Sequence, residues 1–214
     1  VWVEGGHHFM AKYALITGAS SGIGRATAFA LAKKGYDLVI ASRSLEKLEA
    51  VKKEVEAAEH VSVTPIVLDV TDTAAIHQTT EVVLEKFGAP DVLVNDAGLA
   101  RGLEPYAESD EEDILEMIDT NIKGLFLVTH DFLPAMVKRN SGHIVNLGST
   151  AGLYAYAGAA VYCASKAAVK TFSDGIRIDL MATDVKVTTI QPGMVETPFS
   201  EVRFHGDKER AANV

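Results

Sequence analysis

The chain has 214 residues, 48% hydrophobic and 23% charged, and its 20 basic against 29 acidic side chains give a net charge of −9. That length fits one α/β domain, and so much apolar surface excludes an intrinsically disordered chain. The acidity argues against nucleic acid or anionic membrane as a partner, because both need a basic face. No apolar run reaches the ~18 residues of a membrane helix. The single cysteine, Cys163, excludes an internal disulfide and fits a reducing, cytoplasmic setting. The scattered histidines lack zinc-ligand spacing. Residues 1–9 hold Gly5-Gly6-His7-His8 without the basic and apolar regions of a secretory signal. Met10-Ala11-Lys12-Tyr13 reads as a natural start, so a flexible leader is expected before a domain spanning 10–214.

From Tyr13 the chain alternates apolar runs with amphipathic stretches. A strand over Tyr13–Thr17 leads to a helix from about Gly22 to Lys34, which Gly35 ends. Asp37–Ala41 is the next strand, and Ser44 can cap a helix that aligns Leu45, Leu48, Val51 and Val55. Val61–Leu68 is a third strand, followed by a helix carrying Ile76, Val83 and Phe87 and stopped at Gly88-Ala89-Pro90. After a strand over Asp91–Asn95, Ser109 and Glu112 have capping-box spacing. They open a helical region reaching about Arg139, interrupted near Asn121–Gly124. Strands over His143–Leu147 and Lys186–Ile190 flank an alanine-rich helix from about Ala159 to Ala182. Repeated β-α-β steps with apolar strands predict one domain: a doubly wound parallel sheet in a three-layer α/β/α fold.

Thr17-Gly18-Ala19-Ser20-Ser21-Gly22-Ile23-Gly24 joins the first strand to the first helix. Gly18 can turn tightly, Gly22 can let backbone approach a pyrophosphate, and Gly24 can allow close packing. The helix N-terminus adds free N–H groups and partial positive charge for the phosphates. Gly18-Ala19-Ser20-Ser21-Gly22 also matches the Gly-X-Ser-X-Gly elbow of α/β-hydrolases, with Ser20 as nucleophile. Only one strand precedes it, however, and the histidine would have to come from scattered candidates such as His143 or His205. At the end of strand two, Ala41-Ser42-Arg43-Ser44 offers no carboxylate for a ribose 2′-hydroxyl. Arg43, with Ser42 beside it, can instead clamp a 2′-phosphate, which favours NADP.

Tyr162-Cys163-Ala164-Ser165-Lys166 puts Tyr162 and Lys166 one helical turn apart on one face. A phenol titrates near ~10, and an ammonium about 5 Å away contributes roughly 3 kcal/mol toward lowering that. Tyr162 would then serve as an acid/base near neutral pH.

The glycine turn, Asn121, Ser149 and Tyr162/Lys166 occur in the order and spacing of the short-chain dehydrogenase/reductase superfamily. The resemblance runs from about Lys12 to the end of the chain. It includes Leu68-Asp69-Val70, Asn95-Asp96-Ala97-Gly98, Gly148-Ser149-Thr150-Ala151-Gly152, and Pro192-Gly193 with Thr197. It implies a Rossmann-like NADP-dependent oxidoreductase in which Tyr162 is the proton donor and acceptor. Lys166 would lower the Tyr162 pKa and hold the nicotinamide ribose, Ser149 would bond the reacting oxygen, and Asn121 would hold a relay water. Gly18, Ser20, Ser21, Gly22, Ile23, Gly24, Ser42 and Arg43 would hold the phosphates. Asp69 and Val70 would meet the adenine, and Asn95, Ala97 and Gly98 would line the adenosine side. Pro192, Gly193, Val195 and Thr197 would surround the nicotinamide.

Two departures stand out. The family loop usually reads Asn-Asn-Ala-Gly, and Asp96 cannot donate the amide hydrogen bonds of the second asparagine. The chain also looks short by about one strand–helix unit, roughly 30 residues, which would leave a sheet edge exposed. Within the superfamily, Asn95 to Asp207 resembles the NADP-dependent 3-hydroxy acid dehydrogenases of the serine/allo-threonine and malonic semialdehyde type. Shared text includes Tyr156-Ala157-Gly158 and Val202-Arg203-Phe204. A small acid needs a cation, and Arg203, with Tyr156 in the same substrate pocket, is the candidate. A 3-oxoacyl-thioester or other carbonyl reductase, and a non-catalytic NADP-binding sensor, are the alternatives. Relatives are commonly tetramers, so a homo-oligomer is expected.

Overall fold

The computed structural model describes residues 12–212; the expected leader lies outside them. Tyr13–Thr17 forms β1, Gly22–Ala32 α1, Asp37–Ser42 β2, Leu45–Ala58 α2, Val63–Val67 β3, Thr73–Phe87 α3 and Val92–Asn95 β4. Glu111–Ile118 (α4) continues through a π-helical turn, Asp119–Gly124, into Leu125–Arg139 (α5). Gly142–Leu147 is β5, Ala160–Asp179 α6, Val185–Ile190 β6, Phe199–Arg203 α7 and Lys208–Ala211 α8. The six strands form one sheet in the order β3-β2-β1-β4-β5-β6, every pair parallel. The reversal of direction after β1 marks the crevice at the carboxyl ends of β1 and β4 as the place for a ligand.

Alternation along the central strands makes the three layers. Ala14 and Ile16 of β1 point with Leu38 and Ile40 toward Ala28, Leu48, Val51 and Val55 of α1 and α2. Tyr13 and Leu15 point the other way, with Val39, Leu93 and Ile144, toward Ile76, Val83, Val128, Phe132 and Met136 of α3 and α5. The outer strand β6 departs from the expectation of two covered faces. Val185 and Val187 are buried, whereas Lys186, Thr188 and Ile190 are exposed.

Helix ends follow the sequence with one exception. Ser44 and Asp72 accept from the third helical N–H, at Lys47 and Ala75, and Gly35 and Gly88 take positive φ beyond α1 and α3. Ser109 does not cap α4. Asp110 does, accepting from Glu112 N at 2.8 Å; an ionised acceptor at a helix N-terminus outcompetes a hydroxyl.

A buried polar chain ties the sheet to the helices on one face. Asn95 Nδ2 donates to Thr129 Oγ1 and to Asn146 Oδ1, both at 2.9 Å, and Asn146 Nδ2 donates to Ser173 Oγ at 2.9 Å. All four residues are buried, so removing one member strands the others without water. Asn146→Ala should cost about 2–4 kcal/mol, a drop of roughly 5–15 °C in melting temperature by calorimetry.

Candidate active site

The glycine turn folds as its residues demand. Gly18 has φ +69°, and a Cβ there would lie 2.8 Å from Ala97 N; one on Gly24 would lie 2.4 Å from Gly18 O. Ser21 is the N-cap of α1 but makes no side-chain capping bond, and the first turn contains no acid. The N–H groups at Gly22 and Ile23, next to Ser20 and Ser21, therefore remain available to an anion. Thr197 faces Gly22 from the other side, 3.5 Å from where a Cβ would sit. It belongs to the Pro192–Thr197 loop, whose Gly193 and Val195 are exposed. Pro192 O accepts from Thr150 N at 3.0 Å, tying that loop to the Ser149 segment.

At the end of β2, Ser42 Oγ accepts from Ser44 N at 3.3 Å, and Arg43 projects outward with 64% of its side chain exposed. Its Nη1 lies 3.9 Å from Glu116 Oε1. Asp69 Oδ1 accepts from Thr71 N and Thr71 Oγ1, and Val70 is packed against Gly124. Ala97 N donates to Thr17 Oγ1 at 3.2 Å, and Gly98 is exposed at the crevice. The Asn95 side chain instead turns into the buried chain described above, leaving only its backbone toward the crevice.

The four residues of the expected catalytic set converge. Asn121 lies in the π turn, the helix interruption read from the sequence. Its Oδ1 accepts from Leu99 N at 2.9 Å, and its Nδ2 donates to Leu99 O at 2.7 Å and Ser165 Oγ at 3.0 Å. Lys166 Nζ donates to Leu147 O at 2.9 Å. Its Nζ and the Asn121 Oδ1 both border Gly98, where a Cβ would be 3.3 Å from each. Ser149 Oγ accepts from Ala151 N at 3.1 Å and hydrogen-bonds the Tyr162 phenol.

The titration of the phenol differs from expectation. Burial pushes Tyr162 above its ordinary value; the Ser149 hydrogen bond and the Arg203 guanidinium pull it back without winning. Lys166, whose Nζ is 5.9 Å from the ring centroid, is itself pushed down to about 8 by burial, with Asp96 acting against that shift.

Arg203 occupies the pocket beside them. It ends α7 and is buried, 5% exposed. Its Nη2 donates to Tyr156 Oη at 2.9 Å, its guanidinium carbon lies 5.5 Å from the Tyr162 ring centroid, and its Nε has no partner among the described residues. Sequence reasoning missed Arg101 and Glu116. Arg101 Nε and Nη2 grip the two Glu116 oxygens at 2.7 and 3.0 Å, holding that carboxyl below the usual range. Neither histidine proposed for a hydrolase bonds Ser20: His143 opens β5 at the far end of the sheet, bonded to Thr188, and His205 pairs with Asp113.

The family model for the short chain dehydrogenases matches residues 12–208. This chain belongs to that family. It is 43% identical over 204 residues to an NADP-dependent 3-hydroxy acid dehydrogenase of Schizosaccharomyces pombe, covering 95% of this chain and 79% of the relative. It is 47% identical over 198 residues to a protein of that description from Salmonella typhi, covering 92% and 78%. The closed form of a serine dehydrogenase complexed with NADP+ superposes with a TM-score of 0.88 at 42% identity, covering 94% of this chain and 80% of that one. Among the described residues of this short-chain dehydrogenase, no helix is long and apolar enough to cross a membrane.

Asp96 also differs from expectation. Its carboxylate packs against the glycine turn, 2.5 Å from where a Gly24 Cβ would sit. Burial raises it to about 7, opposed by Lys166 and the Gly24 amide, so near neutrality a large fraction carries a proton and can donate. An acid raised from 3.8 to about 7 on folding binds more protons folded than unfolded between those values. Its effect is therefore to lower stability as pH rises through that window. Asp96→Asn should melt above the parent at about pH 8, with the difference closing toward pH 4 in a series of thermal melts.

Proposed function

We propose that this short-chain dehydrogenase is an NADP-dependent oxidoreductase interconverting a small 3-hydroxy acid and its 3-oxo acid. The observation carrying this reading is the placement of Tyr162 between Ser149 Oγ and the buried guanidinium of Arg203. One group can exchange a proton with an oxygen while the other holds a carboxylate two carbons away. The uncapped α1 N-terminus, the closely packed Gly18 and Gly24, and the exposed Arg43 fit a dinucleotide bearing a 2′-phosphate. When bound, NADP(H) supplies or accepts the hydride.

The residues of the chain do the rest. In reduction Tyr162 donates its proton to the carbonyl oxygen, and Ser149 donates a hydrogen bond to that oxygen as charge develops. In oxidation Tyr162 takes the proton back. Lys166, charged below about pH 8, favours the phenolate that forms and holds ribose hydroxyls near Gly98. Asn121 fixes the Leu99 backbone with its Oδ1 on the same side of Gly98 as the Lys166 ammonium, where a water would relay protons. Ser20, Ser21, Gly22, Ile23 and Ser42 hold phosphates with Arg43, and Asp69, Val70 and Ala97 line the adenosine. Pro192, Gly193, Val195 and Thr197 close over the nicotinamide. Tyr156 orients Arg203. The same reading includes a homotetramer in the cytoplasm, in which a partner would cover the exposed Ile178 and Met181 at the end of the α6 region.

The reading is tested by NADP+ reduction with 3-hydroxypropionate, serine and allo-threonine. Arg203→Ala should raise KM for the acid turned over about ten- to hundredfold, the loss of one charged hydrogen-bond pair; an unchanged KM removes the carboxylate from the reading. Arg43→Asp should weaken NADPH binding about tenfold or more while NADH binding holds, read by titration of intrinsic fluorescence.

A further inference from the structure

The segment carrying Arg203 is short. α7 and α8 each have five residues or fewer, too few to hold a position by helix formation alone. What fixes Arg203 must come from elsewhere. Besides the bond from Arg203 to Tyr156, the polar ties between this segment and the body include four others. His205 pairs with Asp113 at 3.0 Å and Arg210 with Glu104 at 2.7 Å, but these basic side chains are 61% and 52% exposed, and pairs so open to water stabilise little. Gly102 N donates to Arg203 O at 3.1 Å. The fourth tie is Arg101, whose side chain is only 11% exposed. Its Nη1 donates to Val202 O, the carbonyl immediately before Arg203, while Nε and Nη2 hold the Glu116 carboxylate in a two-pronged grip.

We propose that Arg101, held by Glu116, is the positioning residue for substrate-carboxylate recognition: it fixes the Val202–Arg203 backbone so that the Arg203 guanidinium lies between Tyr156 and Tyr162. The inference rests on Arg203 being the carboxylate anchor. The division of labour between two arginines follows from their partners. Arg101 has its charge matched by Glu116, with Asp113 Oδ1 4.0 Å away, and so has little left to attract an anion. Arg203 has a phenol for a partner and an Nε with none. A planar fork bridging a carboxylate and a carbonyl is work that lysine cannot copy, since its ammonium is a single point.

The deciding experiment is a double-mutant cycle on the intact protein, with whichever of the three acids named above is turned over. Arg101→Lys alone should raise KM for the acid about tenfold, leaving kcat and the NADP+ KM within about twofold. Added to Arg203→Ala, it should raise KM no further, because the route through Arg203 is already gone. Backbone amides of residues 202–206 should exchange hydrogen faster in Arg101→Lys, which reports the loosened segment directly. Glu116→Gln cuts the same grip from the other end and should reproduce the KM effect, which keeps the test open if Arg101→Lys folds poorly. An undisturbed KM in both single variants, or effects that multiply in the double variant, would overturn the positioning role while leaving the Arg203 reading standing. An Arg203→Ala enzyme with the parent KM, or no turnover of any of the three acids, would overturn both.

Discussion

One carboxamide holds the catalytic crevice together. Asn121 grips both the N–H and the C=O of Leu99 and also reaches Ser165 of α6. The loop after β4, the π turn and the helix carrying Tyr162 and Lys166 are thus joined by one side chain that is 1% exposed. The π turn makes this possible. An extra residue in one turn breaks the usual helical register and points Asn121 inward, and Gly124 lets that turn lie against the Val70 backbone. Upstream of the tie lies Gly98; two residues downstream of Leu99 lies Arg101. The proposed proton relay and the proposed carboxylate anchor both depend on where that loop is held.

The electrostatics of the site reverse the character of the chain. An acidic protein sets Arg43, Lys166 and Arg203 about one crevice, where an anionic cofactor and an anionic substrate would otherwise be repelled. Burial sets their behaviour. It pushes Lys166 down to about 8 and Asp96 up to about 7, so each is partly neutral in the range where the other would favour its charged form. The Tyr162 phenol, also raised by burial, is held as a proton donor until charge at the reacting oxygen and the neighbouring cations pull the proton away.

Much of this was legible in the sequence because it is local. The strand–glycine turn–helix pattern, the one-turn Tyr162/Lys166 spacing and the interruption at Asn121 are short-range features, and the parallel sheet followed from strand composition. What escaped was set by contacts between distant segments. The Arg101–Glu116 grip spans a loop with no periodicity, and nothing local separates Arg101 from an ordinary surface arginine. Arg203 is legible as a cation for an acid, but its burial is not, since that depends on Tyr156 and Tyr162, more than forty residues away. The resemblance puts Asn95 on the adenosine side without saying where its side chain goes, and strand alternation turns that side chain toward Thr129 and Asn146. Charge arithmetic on Tyr162 weighed Lys166 alone, whereas burial outweighs the Ser149 hydrogen bond and the Arg203 charge that pull the phenol down, and desolvation cannot be read from spacing.

The central position of β1 has a consequence for how the chain comes to be folded. Its partner on one side, β2, is made soon after it, but its partner on the other, β4, begins at Val92, pairing Ala14 with a residue 78 positions on. A ribosome extending the chain must therefore produce α1 through α3 before this fully buried strand can lose its second open edge. Until then Ala14, Leu15 and Ile16 offer unpaired backbone to any passing strand. Parallel pairing across such separations is slow, so the newborn chain carries that open edge well before its crevice exists.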